Sequence, residues 1–313
     1  MRLFGRGRRA APRIVPELAD PELGRVLSQT AAAVRATDQD FVLAAVEQLL
    51  HTTGPDWDRC THRLLVLARS DLHSVAHTWR SRCPDDPFAL LLHVWSCLHT
   101  SAVDRSPGEL RDLARLCRRS TDLLPAHPAP WVALLAVLRR MRRPAHQMFE
   151  IWGEAVVRDP WHRETHRQML RYLSPEECGS TARALDFVDD VRAGMPPGTP
   201  AAGLHLAALT DNYLRVGSHS GTSGLGVRHC WSTPAAAQAL DEAALRWIEP
   251  RALSHAAAPA DLNLLAYALV AADRTAEASE VFRTLGAVVT PWPWGVDADA
   301  VQRFTHWQER LLP

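Results

Sequence analysis

Three histidine-containing segments have the spacing of metal ligands. HRETH sets His162 and His166 one helical turn apart on one face, as zinc ligands often are. Glu164 lies two residues from each, roughly 200° around a helix. It faces away and cannot serve as the general base that H-E-x-x-H supplies. HSVAH pairs His73 with His77 in the same way, and EQLLH pairs Glu47 with His51. Carboxylate-bridged di-iron helical enzymes use that last spacing, but they draw ligands from about four helices. One good pair is not such a set. These histidines are expected at helix edges, half exposed, making i,i+4 contacts. No metal, cofactor or catalytic residue is assigned.

GSHSGTSGLGVRHCW, from Gly217 to Trp231, has the glycine density of a ligand-cradling loop. A phosphate-binding glycine loop needs a strand before it and a helix starting at its glycines. Here a helical pattern, LHLAALTDNYLRV, precedes it, and the next helix begins only after Ser232-Thr233-Pro234. The expectation is a linker, with His219, His229 and Cys230 as its only potential ligands. No nucleophile elbow is present: Gly221-Thr222-Ser223-Gly224 is not G-x-S-x-G, and no strand leads into it.

Cationic chemistry is concentrated in one place. Arg139, Arg140, Arg142 and Arg143 form the densest charge cluster after the N-terminus. They end the helical pattern that Trp131 opens, where cations complement the helix macrodipole. The same groups suit a carboxylate, a phosphate or an acidic peptide. Arg115, Arg118 and Arg119 lie on the preceding helical pattern and are expected to face the same side. Trp131 and Trp161 open neighbouring helices. These nine residues make the expected partner-binding surface.

Composition excludes several alternatives. All 35 basic residues are Arg, which removes Schiff-base, P-loop and kinase-type lysine chemistry. The formal net charge is zero, so the chain has no overall bias toward nucleic acid. Six cysteines form no C-x-x-C pair, which suits a reduced, cytoplasmic protein. MRLFGRGRRAAPR lacks the apolar stretch of a secretory signal, and no apolar run approaches a membrane span.

The elements that must position these residues are helices. Phe88, Leu91, Leu92, Trp95 and Leu98 recur at helical spacing, as do Trp131, Leu134, Leu135 and Leu138. Pro and Gly break the pattern at Gly54-Pro55, Cys83-Pro84, Ser106-Pro107-Gly108, Pro125, Pro144, Asp159-Pro160 and Ser174-Pro175. A Pro precedes an aromatic at positions 87, 130 and 160, intervals that bracket the ~34-residue period of a helix-turn-helix repeat. The clearest unit is DLNLLAYALVAADRTAEASEVFRTLGAVVTPWPW. Small Ala266 and Ala278 let two helices approach, Phe282 fills the groove, and Pro291 ends the pair. Trp292 and Trp294 are expected on an extended segment that pins across this hairpin.

That unit resembles the tetratricopeptide repeat over residues 260–291, and the resemblance extends over 86–173. It departs in carrying Leu262 where the family has Trp and Ala266 where it has Gly. FRTLGAVVTPWPW is also similar to the ends of uncharacterised actinobacterial proteins with such helices. The resemblance implies an all-α, right-handed stack of antiparallel helical hairpins with an extended docking surface. The expected organisation is a basic disordered arm (1–16), a hairpin-repeat domain (17–216), a Gly/Ser-rich loop (217–233) and a helical subdomain with a capping helix (234–313). The expected function is a non-enzymatic scaffold or regulator that binds a protein or peptide, with no membrane association. A helical non-haem iron or zinc enzyme is the first alternative, and a nucleic-acid-binding regulator the second.

Overall fold

The computed structural model describes residues 10–35, 38–70, 72–100, 105–219, 230–296 and 298–312. Among them the fold is all-helical apart from two two-residue strands. Among the described residues, no helix is long and apolar enough to cross a membrane. The chain divides into two compact units: residues 19–204 with 255–257, and residues 1–18 with 205–254 and 258–313.

The first unit runs through ten helices: α1 (Pro21–Arg35), α2 (Gln39–His51), α3 (Trp57–Arg69), α4 (His73–Arg82), α5 (Pro87–Thr100), α6 (Pro107–Leu123), α7 (Ala129–Arg140), α8 (Ala145–Arg158), α9 (Arg163–Leu173) and α10 (Thr181–Arg192). Side-chain caps start many of them. Asp38, Asp56 and Ser180 each accept from the N–H three residues on, and Ser106 and Glu109 form a full capping box. Neighbours in sequence pack together from α4 to α10, and alternate helices pack as well: α3 on α5, α5 on α7, α7 on α9, and α3 on both α7 and α9. Helix α7 is buried from Ala129 to Arg139 except at Trp131, which explains its almost continuous apolar sequence.

Polar groups also cross the interior of this unit. Asp20 and Arg63 are essentially unexposed, and Arg63 donates to both Asp20 oxygens, at 2.7 and 3.1 Å. It also reaches Glu22 and the Leu49 carbonyl. Asp20 in turn accepts from the Leu23 N–H and starts α1. One buried guanidinium thereby ties α1, α2 and α3.

The second unit contains β1 (Arg13–Ile14), α11 (Leu204–His219, entering the unit from His205), α12 (Pro234–Arg246), α13 (Ala258–Ala271), α14 (Thr275–Leu285), β2 (Val288–Val289), the short turn α15 (Pro291–Trp294) and α16 (Ala300–Leu311). Thr233 caps α12. Helices α13 and α14 form the hairpin read from the sequence, with Ala266, Ala278 and Phe282 all fully buried. Phe282, Trp294 and Phe304 meet with ring centroids 5.0–5.9 Å apart, and Tyr267 joins Trp294 at 5.1 Å. Asn263 is the polar centre. Its amide donates to the Pro259 and Val288 carbonyls, and its oxygen accepts from the Thr290 N–H and the Trp294 indole.

Three expectations change. Residues 13 and 14 were placed in a disordered arm, but they pair in parallel with Val288 and Val289; residues 1–9 lie outside the described set. The repeat domain was bounded at 216, whereas the first unit ends at Leu204 and α11 continues to His219. Most of the glycine-rich stretch, 220–229, lies outside the described residues. Trp292 keeps an extended backbone (φ −96°, ψ 137°), but Pro293 and Trp294 turn inward and are buried. The pull is the Asn263 oxygen and the three aromatic rings around Trp294.

Candidate functional site

The ends of four helices of the first unit enclose a cleft of about 330 Å³. Helix α3 contributes Leu65 and Arg69, α5 contributes Trp95, Leu98 and His99, and α7 contributes Ala136, Arg139 and Arg140. Helix α9 adds Glu164, Gln168 and Arg171, and the following turn adds Glu177. The i,i+4 spacing puts Leu65 with Arg69, Trp95 with His99, and Ala136 with Arg140 on common helix faces. Arg69, His99, Arg139, Arg140 and Arg171 all belong to the last turns of their helices. Cations are favoured there by the macrodipole. Packing alternate helices side by side gathers what are, in sequence, separate helix ends.

Local anchors fix α9 in this arrangement. His162 is its N-cap and accepts from the Thr165 N–H; its Nε2 sits 3.0 Å from the Thr61 hydroxyl on α3. The Arg163 N–H donates to Asp58, also on α3. His166 bonds the Pro160 carbonyl through Nε2 at 2.8 Å, and its Nδ1 accepts from the Trp152 indole. Both histidines are buried, not half exposed as expected. The break at Asp159-Pro160 puts His162 at the helix start instead of inside it, so the two imidazoles are spent on separate hydrogen bonds. His73 and His77 are exposed, where half exposure was expected.

Within the cleft, some charges are matched and others are not. Glu164 is buried, which alone would raise its pKa. The guanidiniums of Arg171, Arg167 and Arg69, with a hydrogen bond from Gln168, instead hold it down at about 2. Arg171 bonds Glu164 at 3.1 Å. Arg139 is buried and donates to Gln168 and Glu177. Burial lowers its pKa and raises that of Glu177, and the close contact between them opposes both shifts. Arg69 and Arg140, by contrast, have no hydrogen-bond partner among the described residues. Arg69 is open to solvent through the cleft, yet enough protein surrounds it for desolvation to lower its pKa. His99 is driven down to about 4 by desolvation and then by Arg69, Arg171 and Arg140, against the opposing pull of Glu164. It is neutral at pH 7, with its ring nearly parallel to Trp95 (21°).

Of the nine residues expected to form one surface, the structure brings only Arg139 and Arg140 into the cleft. Arg115 pairs with Asp112, and Arg119 pairs with Asp85 beyond α4; with Arg118 they lie on the exposed side of α6. Arg142 and Arg143 lie in the turn after α7, where Arg143 bonds Gln147. Trp131 is at the opposite end of α7, about 13 Å from Arg140 along the axis, under the guanidinium of Arg158. Trp161 precedes the start of α9 and lies against Gly194. The sequence reading missed Arg69, Trp95, His99, Glu164, Gln168, Arg171 and Glu177 as a group. A basic residue sits in the last turn of α2, α3, α4, α5, α7, α8, α9 and α10 alike, so nothing along the chain singled out the helix ends that meet here.

The Glu47–His51 pair gains Asp86, and their ligand atoms lie within 4.8 Å of one another. Asp86 already accepts from the Phe88 and Ala89 N–H groups, and its other oxygen sits 2.8 Å from His51 Nε2. His51 packs edge-on against Phe88. Capping and pairing account for two of the three groups, and α2 and the start of α5 supply all three. No protein-family model matches the chain, and no curated protein matches it.

Proposed function

We propose that this chain is a non-enzymatic binding protein that docks a protein or peptide partner in the cleft between the ends of α3, α5, α7 and α9. The observation that carries this reading is the pair of guanidiniums, Arg69 and Arg140, that border the cleft without hydrogen-bond partners among the described residues. Arginines with free donors in a concave site are suited to a polar ligand. The cleft holds no paired nucleophile and base: His99 lies beside Trp95, and both glutamates face arginines. That favours docking over bond-breaking.

The fold reading that goes with it is a right-handed stack of antiparallel hairpins similar to tetratricopeptide repeats. Support comes from the α13–α14 hairpin, with its Ala266, Ala278 and Phe282, and from alternate packing of α3, α5, α7 and α9. A cytoplasmic location goes with the six unpaired cysteines. The test is a pull-down from the native host with the full chain, repeated with the Arg69→Gln/Arg140→Gln double variant. A partner that the wild type holds and the folded double variant releases supports the reading. A partner held equally by both overturns it.

A metal-dependent enzyme is the second reading, favoured only by Glu47, His51 and Asp86. It requires stoichiometric iron or zinc in untagged protein, lost on Glu47→Ala. Metal-free protein that still binds its partner removes it.

A further inference from the structure

Resting on the reading of the cleft as the docking site, we propose that the group it grips is a compact oxyanion. That group is a phosphoryl or carboxylate carried by the ligand and received by Arg69, Arg140 and His99. Three observations converge on it. The cleft-lining side chains include four guanidiniums, from Arg69, Arg139, Arg140 and Arg171, against two carboxylates, from Glu164 and Glu177. Arg139 and Arg171 are committed to those carboxylates. Arg69 and Arg140 are not, so the unmatched charge is theirs.

The second observation excludes the simplest structural role for them. Four helix C-termini contribute to this cleft, and their carbonyls carry partial negative charge that a cation would answer. Arginines elsewhere in the same unit do this by direct hydrogen bonds. Arg158 donates to the carbonyls of Pro125 and Glu154, and Arg105 donates to that of Cys97. Arg69 and Arg140 donate to no carbonyl among the described residues. Their donors remain available to something that enters the cleft.

The third is a buried donor in the cleft wall. Trp95 is 2% exposed, and its indole N–H is buried without an acceptor. His99, the ring beside it, has no hydrogen-bond partner among the described residues either. Among the buried atoms of the cleft the unmet acceptor is Glu177 Oε2, and the open donors of Arg69, Arg140 and Trp95 outnumber it. A ligand that fits this inventory brings acceptor oxygens toward the arginines and one N–H or O–H donor toward Glu177. An oxyanion joined to an amide has that pattern. The offset from the helix ends and the two glutamates makes recognition depend on directed hydrogen bonds more than on net field.

His99 reports occupancy. Its ring is exposed at the cleft, yet it is held neutral by desolvation from the surrounding protein and by Arg69 on α3, Arg171 on α9 and Arg140 on α7, with Glu164 acting in the opposite sense. An anion seated among those cations removes part of the repulsion and raises the His99 pKa. The experiment is a histidine side-chain NMR titration of the full chain at constant ionic strength, with inorganic phosphate in one arm, acetate in a second and chloride as control. A His99→Gln variant assigns the resonance. The expected result is a saturable shift of the His99 ring signals and a rise in its pKa, with affinity weakened about tenfold in Arg69→Gln and in Arg140→Gln. Saturation by phosphate alone identifies a phosphoryl group as the natural handle, and saturation by acetate identifies a carboxylate. The proposal is overturned if neither anion exceeds the chloride control, or if both variants respond as the wild type does. Arg140 is exposed at the end of its helix, so Arg140→Gln carries the test even if Arg69→Gln does not fold. A partner that binds the variants unchanged sinks the docking reading and leaves anion binding standing. Silent anions with a partner released by the variants do the reverse.

Discussion

The two units solve the same packing problem with different chemistry. The unit spanning residues 19–204 places charge and imidazole in its interior: Asp20 with Arg63, Arg139 with Gln168 and Glu177, Glu164 among arginines, and the buried rings of His162 and His166. The unit formed mainly from residues beyond 205 closes around Phe282, Trp294 and Phe304; the amides of Asn263 and Gln308 bond the backbone there, and Asp261 is its fully buried carboxylate. The aromatic cluster itself carries no group that titrates between pH 4 and pH 7. A charged interior must match every group, and where the count is uneven the surplus is left where water or a ligand can reach it. Arg69 and Arg140 are that surplus.

The contrast is sharpest at Arg63. Replacing it with Ala leaves the fully buried Asp20 with only the longer ion pair to Arg59, at 3.6 Å. Removing one partner of a buried pair costs about 3–5 kcal/mol, which urea unfolding of the variant will read directly. Asp20 has a pKa below the usual range: burial raises it, but hydrogen bonds from Arg63 and Leu23 win. The cost of Arg63→Ala should therefore shrink at acid pH, as Asp20 takes up a proton and no longer needs a cation. A cost that is the same at pH 7 and pH 4 would show that Arg63 acts through packing alone.

Asn263→Ala tests the other interior. It removes the acceptor for the Trp294 indole and the Thr290 N–H and the donor to the Val288 carbonyl. With several buried groups left unpaired at about 1 kcal/mol or more each, the expected loss is about 3 kcal/mol. Unlike the Arg63 effect, it should not vary between pH 7 and pH 4. Tryptophan fluorescence during denaturant unfolding checks both halves of that statement.

Acid alone should separate the units. In the first, desolvation by the surrounding protein pushes His93, His99, His127 and His166 each down to about 4 from a usual 6.5. Between those values the unfolded chain binds protons that the folded chain refuses. The stabilisation is complete above pH 6.5 and is lost as pH falls toward 4. For the fully enclosed His166 it is on the order of 3 kcal/mol. Glu164, depressed to about 2, adds a further loss as pH drops below 4.5. Amide exchange at pH 7 and pH 4.5 should show residues 19–204 losing protection while α13 and α14 keep theirs. Equal loss in both units would remove the distinction.

Much of the fold could be read along the chain because its causes are local. Pro and Gly breaks mark helix ends, and Ala266, Ala278 and Phe282 announce a close hairpin by size alone. What escaped was nonlocal. Strand β1 is two residues, Arg13 and Ile14, whose partners lie more than 270 positions away. The cleft was half legible. Arg139 and Arg140 stood out as a cluster, but Arg69, His99 and Arg171 are single basic residues at helix ends, each with a sufficient local reason to be there. Only the packing of alternate helices reveals that the ends meet. HRETH misled in the opposite direction, because the spacing rule assumes a continuous helix and Asp159-Pro160 starts the helix after His162.

The smallest predicted effect concerns the part of the arginine cluster that the cleft leaves out. Arg142 has φ +50°, a left-handed conformation that costs a side-chain-bearing residue about 1–2 kcal/mol. In the other unit, Gly286 fills a positive-φ position (+58°) at the end of α14 with the residue suited to it. Arg142→Gly should therefore stabilise the chain by about 0.5 kcal/mol, the relief of strain being partly offset by a more flexible unfolded state. Thermal unfolding reads the sign. Its side chain is exposed and outside the cleft, so partner retention and the His99 anion response should match the wild type. If Arg142→Gly instead releases the partner while the anion response persists, the docking surface extends past the end of α7 onto the following turn. The strained arginine is then held there by what it binds.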